Sequence, residues 1–202
     1  MRTTRPSILF MTNVNPGTKS QIPVPMGVTT ELDGIVVGNG PAYVEAYIDF
    51  QCPFCRQFEL AAGATLDDLL TGGTISLVRH PMNFLDEVST TRYSSRAAAA
   101  SAAAADAGMF HEYARLLFEH QPPEGSAGLS DDRLIELGDE IGIAEPGFAE
   151  SIQRGTYLPW PSFVTQRATE RGVAGTPSVF VDGVPVPARP GSIAAAVERV
   201  IR

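Results

Sequence analysis

Two residues carry the chemistry that this chain is equipped to do. Cys52 and Cys55 are its only cysteines, and they lie in the run Cys52-Pro53-Phe54-Cys55. Sulfurs at that spacing can close a short disulfide and reopen it by thiol exchange. A zinc site would need two further ligands at short spacing. No other cysteine exists, and His80, His111 and His120 stand apart from one another. A purely structural disulfide across so short a loop would remove little chain entropy and stabilise weakly. Redox exchange is the chemistry the pair predicts, with neither metal nor organic cofactor.

The flanking residues must position those sulfurs. Residues 42–50 are rich in β-branched and aromatic side chains and predict a strand. Residues 56–62 are good helix formers, and Pro53 suits a first helical turn. Cys52 then sits at a helix N-terminus, where unpaired N–H groups and a partial positive charge stabilise the attacking thiolate. Cys52 reads as the exposed, attacking sulfur and Cys55, about one turn deeper, as the shielded, resolving one. The helix runs on to Gly72-Gly73, and residues 74–79 predict a further strand that His80-Pro81 stops. Strand, helix and strand make a βαβ unit with parallel pairing. Residues 34–38 predict a short strand ahead of it.

The middle of the chain reads as helical. Residues 92–107 are dominated by alanine, the best helix former, and residues 109–119 follow the 3.6-residue period. A Pro- and Gly-bearing loop covers residues 121–129. Ser130 is placed to cap the next helix, with Leu134, Leu137 and Ile141 as its apolar stripe. Shorter helices follow near 148–154 and 161–171, and the block is expected to hold a core of its own, with Trp160 as a packing anchor. After Gly175 the β pattern returns: residues 176–183 predict a strand ending in the Asp182-Gly183 turn. Residues 184–187 form its partner, held to a sheet edge by Pro185 and Pro187. A last amphipathic helix carries Ile193, Val197, Val200 and Ile201. Residues 12–33 show no period and read as an irregular, poorly packed arm.

The chain has 202 residues and is 44% apolar and 19% charged, enough to bury a sizeable core. A net charge of −8 and a pI near 4.8 argue against nucleic acid as a partner. No stretch is long enough to span a membrane. The basic, apolar segment at 1–11 is too short in its apolar part for an export signal. The sequence as given therefore reads as cytoplasmic, or as extracytoplasmic if an N-terminal anchor was removed.

Two separated signals, Phe50-Gln51-Cys52-Pro53-Phe54-Cys55 and Gly175-Thr176-Pro177, together with the helical block between them, resemble the DsbA-type disulfide oxidoreductases of the thioredoxin fold. The resemblance runs from about Gly34 to Arg202. It implies an α/β thioredoxin fold, a mixed central sheet flanked by helices, built from residues 34–87 and 172–202. An all-helical subdomain at 88–171 would be inserted in it, behind an arm at 1–33. It also implies that Pro177 is a cis-proline against the redox pair, with Thr176 facing the disulfide and Pro53 and Phe54 supporting the site. The implied partners are protein or peptide thiols and disulfides, with a further redox protein that regenerates the pair. Two departures stand out. Ala46 occupies the position, six residues before Cys52, where such enzymes often carry a buried acid. Glu45 and Asp49 lie off that face if the strand alternation continues, so proton transfer to Cys55 is expected to rely on water. Phe54 replaces the histidine of the strongly oxidising members, so Cys52 is expected to be acidified mainly by the helix terminus and less extremely. Direction, oxidase or reductase, stays open. So do two other readings: a peptide-binding or chaperone-like module with incidental thiols, and a glutathione-dependent transferase or isomerase.

Overall fold

The computed structural model describes residues 22–202. Its centre is the expected βαβ unit: β2 (Ala42–Ile48), α1 (Pro53–Thr71) and β3 (Ile75–Pro81), with β2 and β3 parallel. All seven residues of β3 are buried, as a central strand covered on both faces requires. β1 (Ile35–Val37) pairs antiparallel with β3, and β4 (Ser178–Val181) antiparallel with β2. β5 (Val184–Val186) completes a five-stranded mixed sheet of order β1-β3-β2-β4-β5. This is the thioredoxin-type arrangement, with α1 and the final helix α7 (Pro190–Ile201) packed against each other beside the sheet.

The expected strand stop at His80-Pro81 is corrected, because β3 continues through both residues. The N–H of Met82 donates to the Ile48 carbonyl at 2.7 Å, so the proline nitrogen of Pro81 faces the β1 side. Pairing with β1 ends at Arg79, so no ladder bond is lost there. The β4–β5 turn is as read: Asp182 and Gly183 take φ of 46° and 77°, the left-handed pair that a two-residue hairpin needs. Gly40 marks a close approach at the other end of β3. A Cβ there would lie 2.2 Å from the Ile75 nitrogen, which is backbone and cannot swing away. Gly40→Ala should therefore cost about 2 kcal/mol or more. Gly147→Ala, with open space around it, should cost under about 1 kcal/mol, and urea denaturation of both variants checks the contrast.

The helices between β3 and β4 gather around α2 (Tyr93–Asp106), of whose residues twelve are buried. Its alanines do more than favour helix. Short side chains let α3 (Phe110–Glu119), α4 (Asp131–Glu140), α5 (Pro146–Arg154) and α6 (Pro159–Glu170) all approach it closely. Ser130 caps α4 as expected, accepting from the Arg133 N–H at 3.1 Å. The apolar interior is one cluster that runs from Val44 and Leu77 in the sheet to Ala102, Leu134 and Trp160 among the helices. The separate helical core expected from sequence is thus part of a common one.

The poorly packed arm is also corrected for its described part, residues 22–33. Val28, Thr29 and Asp33 are buried, and Val28 bridges to Ile35. Met26 donates its N–H to Asp106, and Trp160, fully buried, donates its indole N–H to the Leu32 carbonyl at 2.8 Å. Gly27 and Leu32, both at positive φ, turn the chain back on itself, which hydropathy periodicity does not register. Behind the sheet, Asp33 meets His80 and Arg171, and the His80 ring stacks on Tyr47 at 4.1 Å. Residues 12–21 and the apolar segment at 1–11 lie outside the described residues. Among those described, no helix is long and apolar enough to cross a membrane.

Candidate active site

Beyond Ile48, a corner of Asp49, Phe50 and Gln51 delivers the chain to α1, with Cys52 as its N-cap and Pro53 as the first helical residue. The N–H groups of Cys55 and Arg56 donate to the Cys52 carbonyl, at 3.0 and 3.2 Å, and close the first turn. No side chain caps this helix. The N–H groups of Phe54 and Cys55 also favour the Cys52 thiolate. Across the sheet, the Thr176–Pro177 peptide is cis, and the Thr176 carbonyl accepts from the Cys52 thiol at 3.4 Å. Cys52, Pro53, Phe54, Cys55, Thr176 and Pro177, read from two stretches more than a hundred residues apart, therefore meet at one place.

The two thiols are held very differently. The Cys52 thiol is lowered to about 6, first by a hydrogen bond from Cys55, then by the Thr176 hydroxyl and the N–H groups of Cys55 and Phe54, which together outweigh burial. The largest contribution thus comes from the partner sulfur, where the sequence reading gave that place to the helix terminus. Cys55 goes the other way. Burial first, and the neighbouring Cys52 second, push it well above the ordinary thiol range. At neutral pH this gives one thiolate and one thiol side by side, which thiol exchange uses.

The exposure expected of Cys52 is corrected. Only 6% of the residue is accessible, against 0% for Cys55 and 66% for Phe54. The loop after α3 is clasped against the corner: Gln121 donates to the Phe50 and Cys52 carbonyls, both at 3.0 Å. Gln51 donates to the Pro123 and Ser126 carbonyls at 3.3 and 3.2 Å. Sequence reasoning gave neither glutamine a role: Gln51 entered only as part of the motif before Cys52, and Gln121 only as a loop residue. It also set Asp49 aside by extending strand alternation past Ile48, where the strand has already ended. Asp49 is fully buried, and its N–H points at the Cys55 sulfur at 3.4 Å. The vacant position at Ala46 has its own explanation. Its register partner in β3 is Arg79, whose guanidinium is paired with buried Glu59 of α1. A cleft of about 870 Å³ opens elsewhere, between β1, the end of α1 and α3. The thiol chemistry and that cleft are separate.

A family model described as Thioredoxin matches residues 30–199. The chain belongs to the thioredoxin family. Among solved structures, this thioredoxin-family chain is similar to the reduced DsbA of Mycobacterium tuberculosis, with 30% identity and a TM-score of 0.74, covering 84% of this chain and 92% of that one. The fold is thus DsbA-like, as the resemblance carried by the two motifs and the helical block implied. Among curated proteins it is 29% identical over 161 residues to the serine/threonine-protein kinase PknE of Mycobacterium tuberculosis, and 29% identical over 145 residues to the Na(+)/H(+) antiporter NhaA 3 of Salinispora tropica. Those alignments take in 73% and 72% of this chain, but only 28% and 21% of the relatives. The chain thus spans roughly a quarter of the length of the curated relatives it matches.

Proposed function

We propose that this chain is a DsbA-like protein thiol–disulfide oxidoreductase. Cys52 is its attacking sulfur and Cys55 its resolving one. The observation that carries the reading is the split between an acidified Cys52 and a deeply buried, protonated Cys55 on one helical turn, beside the Thr176–Pro177 cis peptide. In the oxidising direction a substrate thiolate attacks the Cys52 sulfur of the Cys52–Cys55 disulfide, and Cys55 leaves with the electron pair. A second substrate thiolate then displaces Cys52, so the substrate gains a disulfide and the enzyme two thiols. The reducing direction is the reverse. Substrates are proteins or peptides, and a second redox protein restores the starting state. Pro53 and Phe54 open the helix, while Thr176 and Pro177 line the side from which a substrate strand would pair.

Acidification also favours a direction. A thiol that ionises more easily in the folded protein stabilises the reduced form relative to the disulfide, which makes the disulfide a better oxidant. The sign in pH follows. Cys52 is lowered from about 9 to about 6, so its thiolate adds stability to the reduced protein that is complete above about pH 9. That stability fades as the pH falls, and is gone below about 6. Two measurements test the proposal. Iodoacetamide should label Cys52 well before Cys55, with a midpoint near pH 6. The couple, equilibrated with glutathione, should lie above about −180 mV. A midpoint near 9, or a potential below about −250 mV, would overturn the oxidising assignment.

A further inference from the structure

Asp49 follows β2 directly, is fully buried, and has all its polar groups engaged. One carboxylate oxygen accepts from the Gln51 N–H at 2.9 Å and from the Ser94 hydroxyl at 2.6 Å. The other accepts from the Leu85 N–H at 3.0 Å. The carbonyl accepts from the Cys52 N–H at 3.0 Å, and the N–H reaches the Cys55 sulfur. Three parts of the chain, the redox corner, the short turn at Phe84–Glu87 and the first turn of α2, therefore meet on this residue. Both cysteines are tied to its backbone.

None of the groups bonded to that carboxylate is a cation. A buried carboxylate held only by neutral donors is costly to ionise, and its charge is poorly screened from its neighbours. The titratable groups that face it are Cys52 and Cys55 on α1, and Tyr93 on α2, whose buried hydroxyl has no hydrogen-bond partner among the described residues. Burial, and after it the charge of Cys52, lift the Asp49 carboxyl to about 6. Asp49 and Cys52 then lose their protons over the same pH range, and each ionisation opposes the other.

We infer that Asp49 is a positioning residue for the thiol chemistry: its carboxylate fixes the corner that holds both sulfurs, and its charge restrains the ionisation of Cys52. The inference deepens the proposed function and rests on it only in taking Cys52 as the reacting thiol. A purely structural Asp49 would also suit three donors, so the test reads charge and not folding alone.

The variants are Asp49→Asn, which keeps the shape and removes the charge, and Ser94→Ala, which keeps the charge but removes one donor that favours it. Cys52 alkylation by iodoacetamide is followed against pH in the whole chain, and the dithiol–disulfide equilibrium is measured against glutathione. For Asp49→Asn we expect alkylation at pH 5 to be about threefold faster. The glutathione equilibrium should move about threefold toward the dithiol, about 14 mV more oxidising at roughly 30 mV per tenfold. Ser94→Ala should move both in the same direction by less, since Asp49 then keeps its proton more readily. Curves that superimpose on the parent for both variants, whatever their Tm, would overturn the inference. If Asp49→Asn does not fold, Ser94→Ala decides by itself. Alkylation reports on the thiol whether or not any protein is a substrate. A failure to exchange protein disulfides would therefore refute the proposed function without touching this result.

Discussion

Cys52→Ser should reduce disulfide exchange to the uncatalysed background, and Cys55→Ser should leave the first step intact but arrest the second. The difference comes from the order of the two attacks. Without Cys52 there is no acidified sulfur to accept or donate the substrate bond, and Cys55, buried and protonated, cannot stand in for it. Without Cys55, Cys52 still attacks a substrate disulfide. The mixed disulfide then persists, because no second sulfur lies within reach to displace it. Turnover of insulin reduction should be lost in both variants. Covalent enzyme–substrate adducts on non-reducing gels should accumulate only in Cys55→Ser. Adducts that accumulate in Cys52→Ser would reverse the two roles. Full turnover in either variant would remove the pair from the mechanism.

Arg79→Ala should destabilise the protein by about 3–5 kcal/mol, among the largest effects of any substitution remote from the cysteines. Arg79 is fully inaccessible, and its Nη2 donates to both carboxylate oxygens of Glu59 at 2.9 Å. A further contact joins its Nη1 to His111, which in turn meets Asp67 and, through it, Arg115. Removing the guanidinium would leave the buried Glu59 carboxylate without the cation that pairs with it. Leaving one partner of a buried pair uncompensated costs far more than removing both. A Glu59→Leu/Arg79→Met double variant should therefore regain most of the loss in urea denaturation. An Arg79→Ala protein within about 1 kcal/mol of the parent would show that the pair is not a buried ionic tie.

Much of the architecture was legible because it depends on local patterns. Apolar runs bounded by glycine and proline marked all five strands within a residue or two, and the Asp182-Gly183 turn and the Ser130 cap follow from backbone chemistry at single positions. Errors arose where a local rule was carried past its range. His80-Pro81 was read as a strand stop, although a proline nitrogen that faces no neighbouring strand costs the ladder nothing. Asp49 was excluded by an alternation that holds only within a strand. Residues 22–33 lack periodicity, yet they are held by side-chain and backbone bonds to Trp160, Asp106 and Ile35 that no window of sequence contains.

By itself the sequence determined that two sulfurs sit three residues apart at the start of a helix, and that a Thr-Pro pair opens a distant strand. Those are properties of covalent order and local propensity. The helix start also marked Cys52 as the attacking sulfur and Cys55 as the shielded one, but only the tertiary structure decided which groups make them differ. The Cys52 thiol is eased by Cys55 and Thr176, Cys55 is closed from solvent, and an aspartate with glutamine clasps holds the corner around them. Ionisation depends on burial and on which groups come within a few ångströms after folding: Thr176 lies far away along the chain, and even the near neighbours Asp49 and Cys55 act only through the folded corner.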